Sequence, residues 1–144
     1  RPYGYRGLGE AAVFVYFGLV AVLGTEYTQS GSISWVGLVA AITVGALSAA
    51  VNLANNIRDI PSDEAAGKRT LAVLLGERRA RSLFLILLLV PIPGTAALLF
   101  ATWWAALGFL GAPLLLPAAA PIVRREAGAR EGDDEEPAEH APER

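Results

Sequence analysis

Two stretches of this chain contain no Asp, Glu, Lys or Arg: Tyr27 to Ile57 and Ser82 to Val123. As one helix the second would extend about 63 Å at ~1.5 Å per residue, roughly twice the ~30 Å of hydrocarbon in a bilayer. It therefore reads as two spans joined by a short turn. With 53% hydrophobic and 18% charged residues in 144, the composition points away from disorder and towards a membrane protein; a soluble helical bundle with fully buried helices is the competing fold. The expected fold is all-α, a multi-span transmembrane helix bundle.

Four apolar segments are candidate spans, at about 11–25, 33–51, 82–101 and 103–123. The second is rich in small residues ("GLVAAITVGALSAA"), which let helices approach closely in lipid. Pro91 and Pro93 fall in the third span, and Pro113 and Pro117 in the fourth. Kinks are expected there, because each proline frees a carbonyl that neighbours must satisfy. Trp103 and Trp104 suit an interfacial belt between spans three and four.

Lysine and arginine set the orientation. The loop 52–81 carries Arg58, Lys68, Arg69, Arg78, Arg79 and Arg81, whereas the connection Glu26–Ser32 carries no base. Arg1 and Arg6 precede the first span, and Arg124 and Arg125 follow the fourth. All the bases fall on one side, so the loop and the tail are expected to be cytoplasmic, in a multi-pass protein of the cell membrane. The tail 124–144 is acidic, contains proline and lacks apolar periodicity, and is expected to be disordered.

The chain lacks cysteine and has one histidine, in the tail, which excludes thiolate chemistry, Cys-based metal sites and a His-based triad. It lacks methionine and opens on "RPYGYRGLGE", not on a signal peptide, so it is expected to be the C-terminal part of a longer protein.

Chemistry concentrates in "NLANNIRDIPSDEAAGKRTLAV", Asn52 to Val73. Asp59 and Asp63 have the spacing of one helix face, yet Pro61 forbids a regular helix through both. Proline fits a first helical turn, so Asp59 is expected to end the incoming helix and Ser62-Asp63-Glu64-Ala65 to open a short new one. Two carboxylates at a membrane-helix end suit Mg²⁺, which takes one or two carboxylates and completes its shell with water and phosphate oxygens. Arg58, Lys68 and Arg69 beside them can neutralise and orient a diphosphate. Asn52, Asn55 and Asn56 sit at the mouth of the apolar helix, where polar groups are costly unless used. The alternative is a topology-setting loop whose acids form surface ion pairs worth under ~1 kcal/mol.

This string closely resembles the second Asp-rich motif of the UbiA superfamily of intramembrane aromatic prenyltransferases. The form N-N-x-R-D-x-x-x-D-x-x-x-G-K-x-T and the loop "RPYGYRGLGE" resemble its menaquinone-pathway branch. The resemblance implies transfer of a polyprenyl group from polyprenyl diphosphate to 1,4-dihydroxy-2-naphthoate, giving demethylmenaquinone, with loss of the aromatic carboxyl as the ring is alkylated. It implies Asp59 and Asp63 as catalytic Mg²⁺ ligands. It also implies Arg58, Lys68, Arg69, Asn52, Asn55 and Asn56 as substrate-binding positions; for Arg6, Tyr3 and Tyr5 a plain interfacial role competes. The expected partners are the two substrates and the lipid bilayer, not nucleic acid. The first Asp-rich motif of the family is absent here, so the chain alone is expected to be inactive. The alternatives are another acceptor, such as 4-hydroxybenzoate or a chlorophyllide, or a non-enzymatic four-span membrane protein. A transporter would place ionisable groups within the spans, and these spans have none.

Overall fold

In the computed structural model residues 7–111, 113–115, 117, 120 and 121 are described, and among them every regular element is helical. The acidic tail expected to be disordered, and Tyr3, Tyr5 and Arg6, lie outside the described residues.

Three helices are long and apolar enough to cross a membrane: α1 (Gly9–Ser30), α2 (Trp35–Arg58) and, after two short helices, α5 (Glu77–Leu98). Between α2 and α5 lie α3 (Ile60–Ala65) and α4 (Leu71–Leu75). The middle of α1, Phe14–Leu23, is wound as a π-helix.

The small-residue pattern of α2 explains its packing. Gly37, Ala41, Gly45, Ala49, Leu53 and Ile57 are all buried and recur every fourth position, forming one row along the helix. Against this row α1 comes into backbone contact: a Cβ on Gly18 would lie 2.6 Å from the Ala41 carbonyl oxygen and 2.6 Å from the Gly45 Cα. Only glycine permits that approach, and the hairpin forms by van der Waals contact between backbones. At the turn, the Ser34 N–H donates to Glu26 Oε1 at 3.1 Å, and the Ser34 hydroxyl donates to the same oxygen. Ser34 Oγ in turn accepts from the Gly37 N–H at 3.0 Å, capping α2.

At the other end of α2 the small residues give way to larger ones. Leu53 and Ile57 meet Ala72 of α4 and Ala80, Phe84 and Leu88 of α5 in the main apolar cluster. This cluster fixes α3 and α4 against the helix end, so the charged loop is a folded platform. The charged residues Glu77, Arg78, Arg79 and Arg81 form the first turns of α5 instead of preceding it. Arg81 is buried and pairs with Glu77 one turn earlier. At Val90–Pro91 α5 changes from its first segment to its second, as expected where proline cannot donate to the preceding turn.

Beyond α5 the described residues cover only part of the expected fourth span. Trp103–Gly111 winds as a 3₁₀-helix, and the apolar helix that includes it reaches Leu115. Gly108, Gly111 and Pro113 weaken an α-helix here, and the rest of the expected span lies largely outside the described residues. Trp103 and Trp104 stack with ring centroids 3.9 Å apart, both exposed.

Outside these contacts the helices present large apolar side chains outwards, among them Tyr16, Phe17 and Val20 of α1 and Ile86 and Leu89 of α5. Water would penalise such a surface, whereas lipid tails or further apolar helices cover it.

Candidate functional site

The loop expected to hold the chemistry is built around α3. Helix α2 ends at Arg58, Asp59 is shared between the two helices, and Pro61 sits in the first turn of α3. The Asp63 N–H donates to the Asp59 carbonyl at 2.8 Å, so the two aspartates stand one turn apart.

The end of α3 explains the spacing from Asp63 to Lys68. Gly67 takes the left-handed conformation (φ 66°). Its N–H donates to the Glu64 carbonyl at 3.0 Å, and the Lys68 N–H donates to the Asp63 carbonyl at 2.8 Å. This paired pattern is the Schellman C-cap, in which a glycine reverses the chain. The reversal returns Lys68 to the start of the helix, where Nζ donates to Asp63 Oδ1 at 3.1 Å and Oδ2 at 3.4 Å. Asp63 is buried, its side chain 10% exposed, so the partner cation offsets part of the desolvation of its charge.

Asp59 faces outwards. Arg58 Nε donates to its Oδ1 at 3.0 Å, with the arginine side chain 74% exposed. That hydrogen bond holds the Asp59 carboxyl below its ordinary value, so it is ionised at neutral pH.

The candidate residues divide into two groups. Asn52, Asn56 and Lys68 line one pocket of about 130 Å³, together with Gly9, Glu10 and Thr70. Arg58, Asp59, Asn55 and Arg69 lie outside it, with Asn55, Arg58 and Arg69 exposed. Asn55 is exposed and lies outside this pocket, one helical step of about 100° round from Asn56. Lys68 belongs to both places, on the pocket wall and bonded to Asp63.

Two pocket residues escaped the sequence reading. Glu10, near the start of α1, is 4% exposed, and its Oε1 accepts from Asn56 Nδ2 at 2.6 Å. Thr70 is buried and caps α4, its Oγ1 accepting from the Val73 N–H at 3.4 Å. For Glu10 the available signal was a lone acid at the head of an apolar run. For Thr70 it was a place in the motif string itself.

Asp59 and Asp63 are hard oxygen donors of the kind and number that Mg²⁺ takes from protein, and phosphate oxygens commonly supply further ligands. Among the described residues no group of three or more His, Cys, Asp or Glu side chains converges. Each carboxylate already has a cationic partner, Arg58 on Asp59 and Lys68 on Asp63, so an ion bound there would share or replace those contacts.

Residues 1–133 match the profile described as the UbiA prenyltransferase family. The chain is 55% identical over 131 residues to a 1,4-dihydroxy-2-naphthoate octaprenyltransferase of Mycobacterium tuberculosis, covering 91% of this chain and 44% of the relative. It is 41% identical over 127 residues to the Escherichia coli protein of the same name, covering 86% of this chain and 41% of the relative. It is also 37% identical over 87 residues to UbiA prenyltransferase domain-containing protein 1 of Danio rerio, covering 60% and 26%. The chain thus spans less than half the length of these curated relatives. No solved structure matches it.

Proposed function

Since this chain belongs to the UbiA prenyltransferase family, we propose that it serves a membrane enzyme that transfers a polyprenyl group to 1,4-dihydroxy-2-naphthoate, giving demethylmenaquinone. The observation that carries the reading is the Asp63–Lys68 pair. It holds a buried carboxylate and a cation together at the end of an apolar helix, within a chain similar to proteins named for this reaction. The donor is polyprenyl diphosphate. Its charged head meets Arg58, Lys68 and Arg69, and its apolar chain lies among the helices.

In the proposed reaction the allylic C–O bond of the donor breaks and diphosphate leaves with the electron pair. The acceptor ring forms the new C–C bond and sheds its carboxyl as CO₂, the electron pair of that broken bond staying with the ring. The product is the hydroquinone, demethylmenaquinol, which a separate two-electron oxidation by a quinone or oxygen converts to demethylmenaquinone. Asp59 and Asp63 are the residues that would hold Mg²⁺. When bound, that ion supplies positive charge where the leaving diphosphate develops negative charge. Arg69 and Arg58, exposed at the mouth, provide further cations for the same charge. The apolar helices keep water from the allylic cation.

The helices α1, α2 and α5, with the segment after Trp103, are proposed to cross the cell membrane, with the loop 52–81 facing the cytoplasm. The Lys and Arg asymmetry across the two faces supports that orientation.

The test uses membranes containing the full-length protein, supplied with polyprenyl diphosphate, Mg²⁺ and either 1,4-dihydroxy-2-naphthoate or 4-hydroxybenzoate. Demethylmenaquinone should form from the first, and EDTA should abolish it. Prenylation of 4-hydroxybenzoate alone would move the acceptor and keep the family chemistry. No product from either, with EDTA making no difference, would sink the enzyme reading.

A further inference from the structure

Glu10 presents an unsolved balance. It is 4% exposed, and Asn56 satisfies only its Oε1; Oε2 is buried without a hydrogen-bond partner among the described residues. A buried charged acceptor left unmade is costly, and native structures seldom keep one without a reason. No base lies between Gly7 and Ile57, so nothing on α1 or along α2 before Arg58 neutralises it.

The pocket beside Glu10 narrows the class of ligand. Its other polar walls are Asn52, Asn56, Thr70 and Lys68. A second cation entering would meet the Lys68 ammonium, and a free diphosphate would meet the Glu10 carboxylate. An uncharged hydroxyl meets neither objection, so a ring hydroxyl can enter with the acceptor's own carboxylate left outside the pocket. The pocket measures about 130 Å³, close to the ~150 Å³ cavity that accommodates one benzene ring. Polar walls of amide and hydroxyl suit a ring that carries its own polar substituent. The terminal torsion of glutamate is soft, so the carboxylate can turn to meet a donor while it stays on Asn56.

The geometry points to Glu10 as the residue that binds the aromatic acceptor, its Oε2 taking a hydrogen bond from a ring hydroxyl while Asn56 anchors Oε1. This rests on the acceptor being a hydroxylated aromatic, as proposed above. Asn56 is then the positioning residue, acting through Glu10. The pocket also adjoins the diphosphate-binding end through Lys68, so ring and donor head would lie on either side of one side chain.

A site built around a substrate hydroxyl rejects analogues that lack it far more strongly than a merely apolar pocket does. The probes are therefore 1,4-dihydroxy-2-naphthoate and its two mono-O-methyl ethers, with polyprenyl diphosphate as the control, in equilibrium binding to the purified full-length protein. The native protein should bind at least one ether tenfold or more weakly than the parent. In Glu10→Gln that gap should shrink below threefold, since the amide can donate to an ether oxygen, while the affinity for polyprenyl diphosphate stays within twofold. Asn56→Ala, which leaves the carboxylate but removes its anchor, should weaken the parent acid and keep its preference over the ether. An unchanged gap in Glu10→Gln overturns the assignment. So does an equal loss for both substrates with a lowered unfolding temperature, which marks a brace between α1 and α2; so does Asn56→Ala binding the parent acid unchanged. If the native protein binds polyprenyl diphosphate but no hydroxynaphthoate, the proposed acceptor is wrong and this assignment falls with it. If it binds the acid and all variants behave alike, only the assignment falls.

Discussion

Lys68 is bonded to Asp63 twice, through its N–H to the Asp63 carbonyl at 2.8 Å and through Nζ to the Asp63 carboxylate at 3.1 Å. The first bond belongs to the helix cap and the second to the site, so a backbone feature sets a functional charge pair. The spacing D-x-x-x-G-K is then a geometric requirement: one short helix, one left-handed glycine and one returning lysine.

Gly67 is the position at which to test this. A residue with a Cβ in the left-handed region costs roughly 1–2 kcal/mol, and asparagine tolerates that region better than β-branched residues do. Gly67→Val should lower the thermal midpoint of the purified protein and raise the KM for polyprenyl diphosphate, with Gly67→Asn milder in both. Equal behaviour of the two variants would separate Lys68 placement from the cap.

The two aspartates should fail differently. Asp59→Asn changes an outward-facing side chain and should abolish Mg²⁺-dependent transfer with little effect on unfolding. Asp63→Asn removes the buried carboxylate and leaves the part-exposed Lys68 ammonium without its partner, and it should lose transfer and about 1–3 kcal/mol of stability together. Near-normal turnover in either variant would show that the carboxylates do not hold the metal.

At the α1–α2 contact, Gly18→Leu drives a side chain into the Ala41 carbonyl and the Gly45 backbone. Overpacking of this kind costs about 1–3 kcal/mol, so the variant should unfold at lower temperature in detergent. Gly24→Leu on the same helix meets nothing within 4 Å and should be neutral. If both variants behave alike, the close backbone approach is not what joins these helices.

Topology can be read by labelling. Cysteines introduced at Thr28 and at Ala65 of the full-length protein, which has exposed side chains at both positions, should react from opposite sides of the membrane. Labelling from one side only would remove the proposed orientation.

Much of this architecture was legible because lipid imposes strict rules. Uncharged runs marked the long helices, and Pro61 located the break between Arg58 and the next helix, since proline is tolerated in a first turn and little else. The asparagines were harder. All three stood out as polar, but only Asn52 and Asn56 line the pocket, and a motif string does not display where α1 covers the helix. Glu10 was hidden for another reason: its partner Asn56 is 46 positions away, and no local pattern encodes such a contact.

The hairpin of α1 and α2 is joined at three levels: Glu10 to Asn56, Gly18 to Gly45, and Glu26 to Ser34. These contacts behave as teeth at fixed intervals. One residue inserted into α1 between the first two would turn everything on one side of it by about 100° and shift it by ~1.5 Å. Glu10 would leave Asn56, or Gly18 would present a larger neighbour to Gly45. The hairpin should therefore accept many changes of residue identity along its outward faces, yet no change in the number of residues between its teeth.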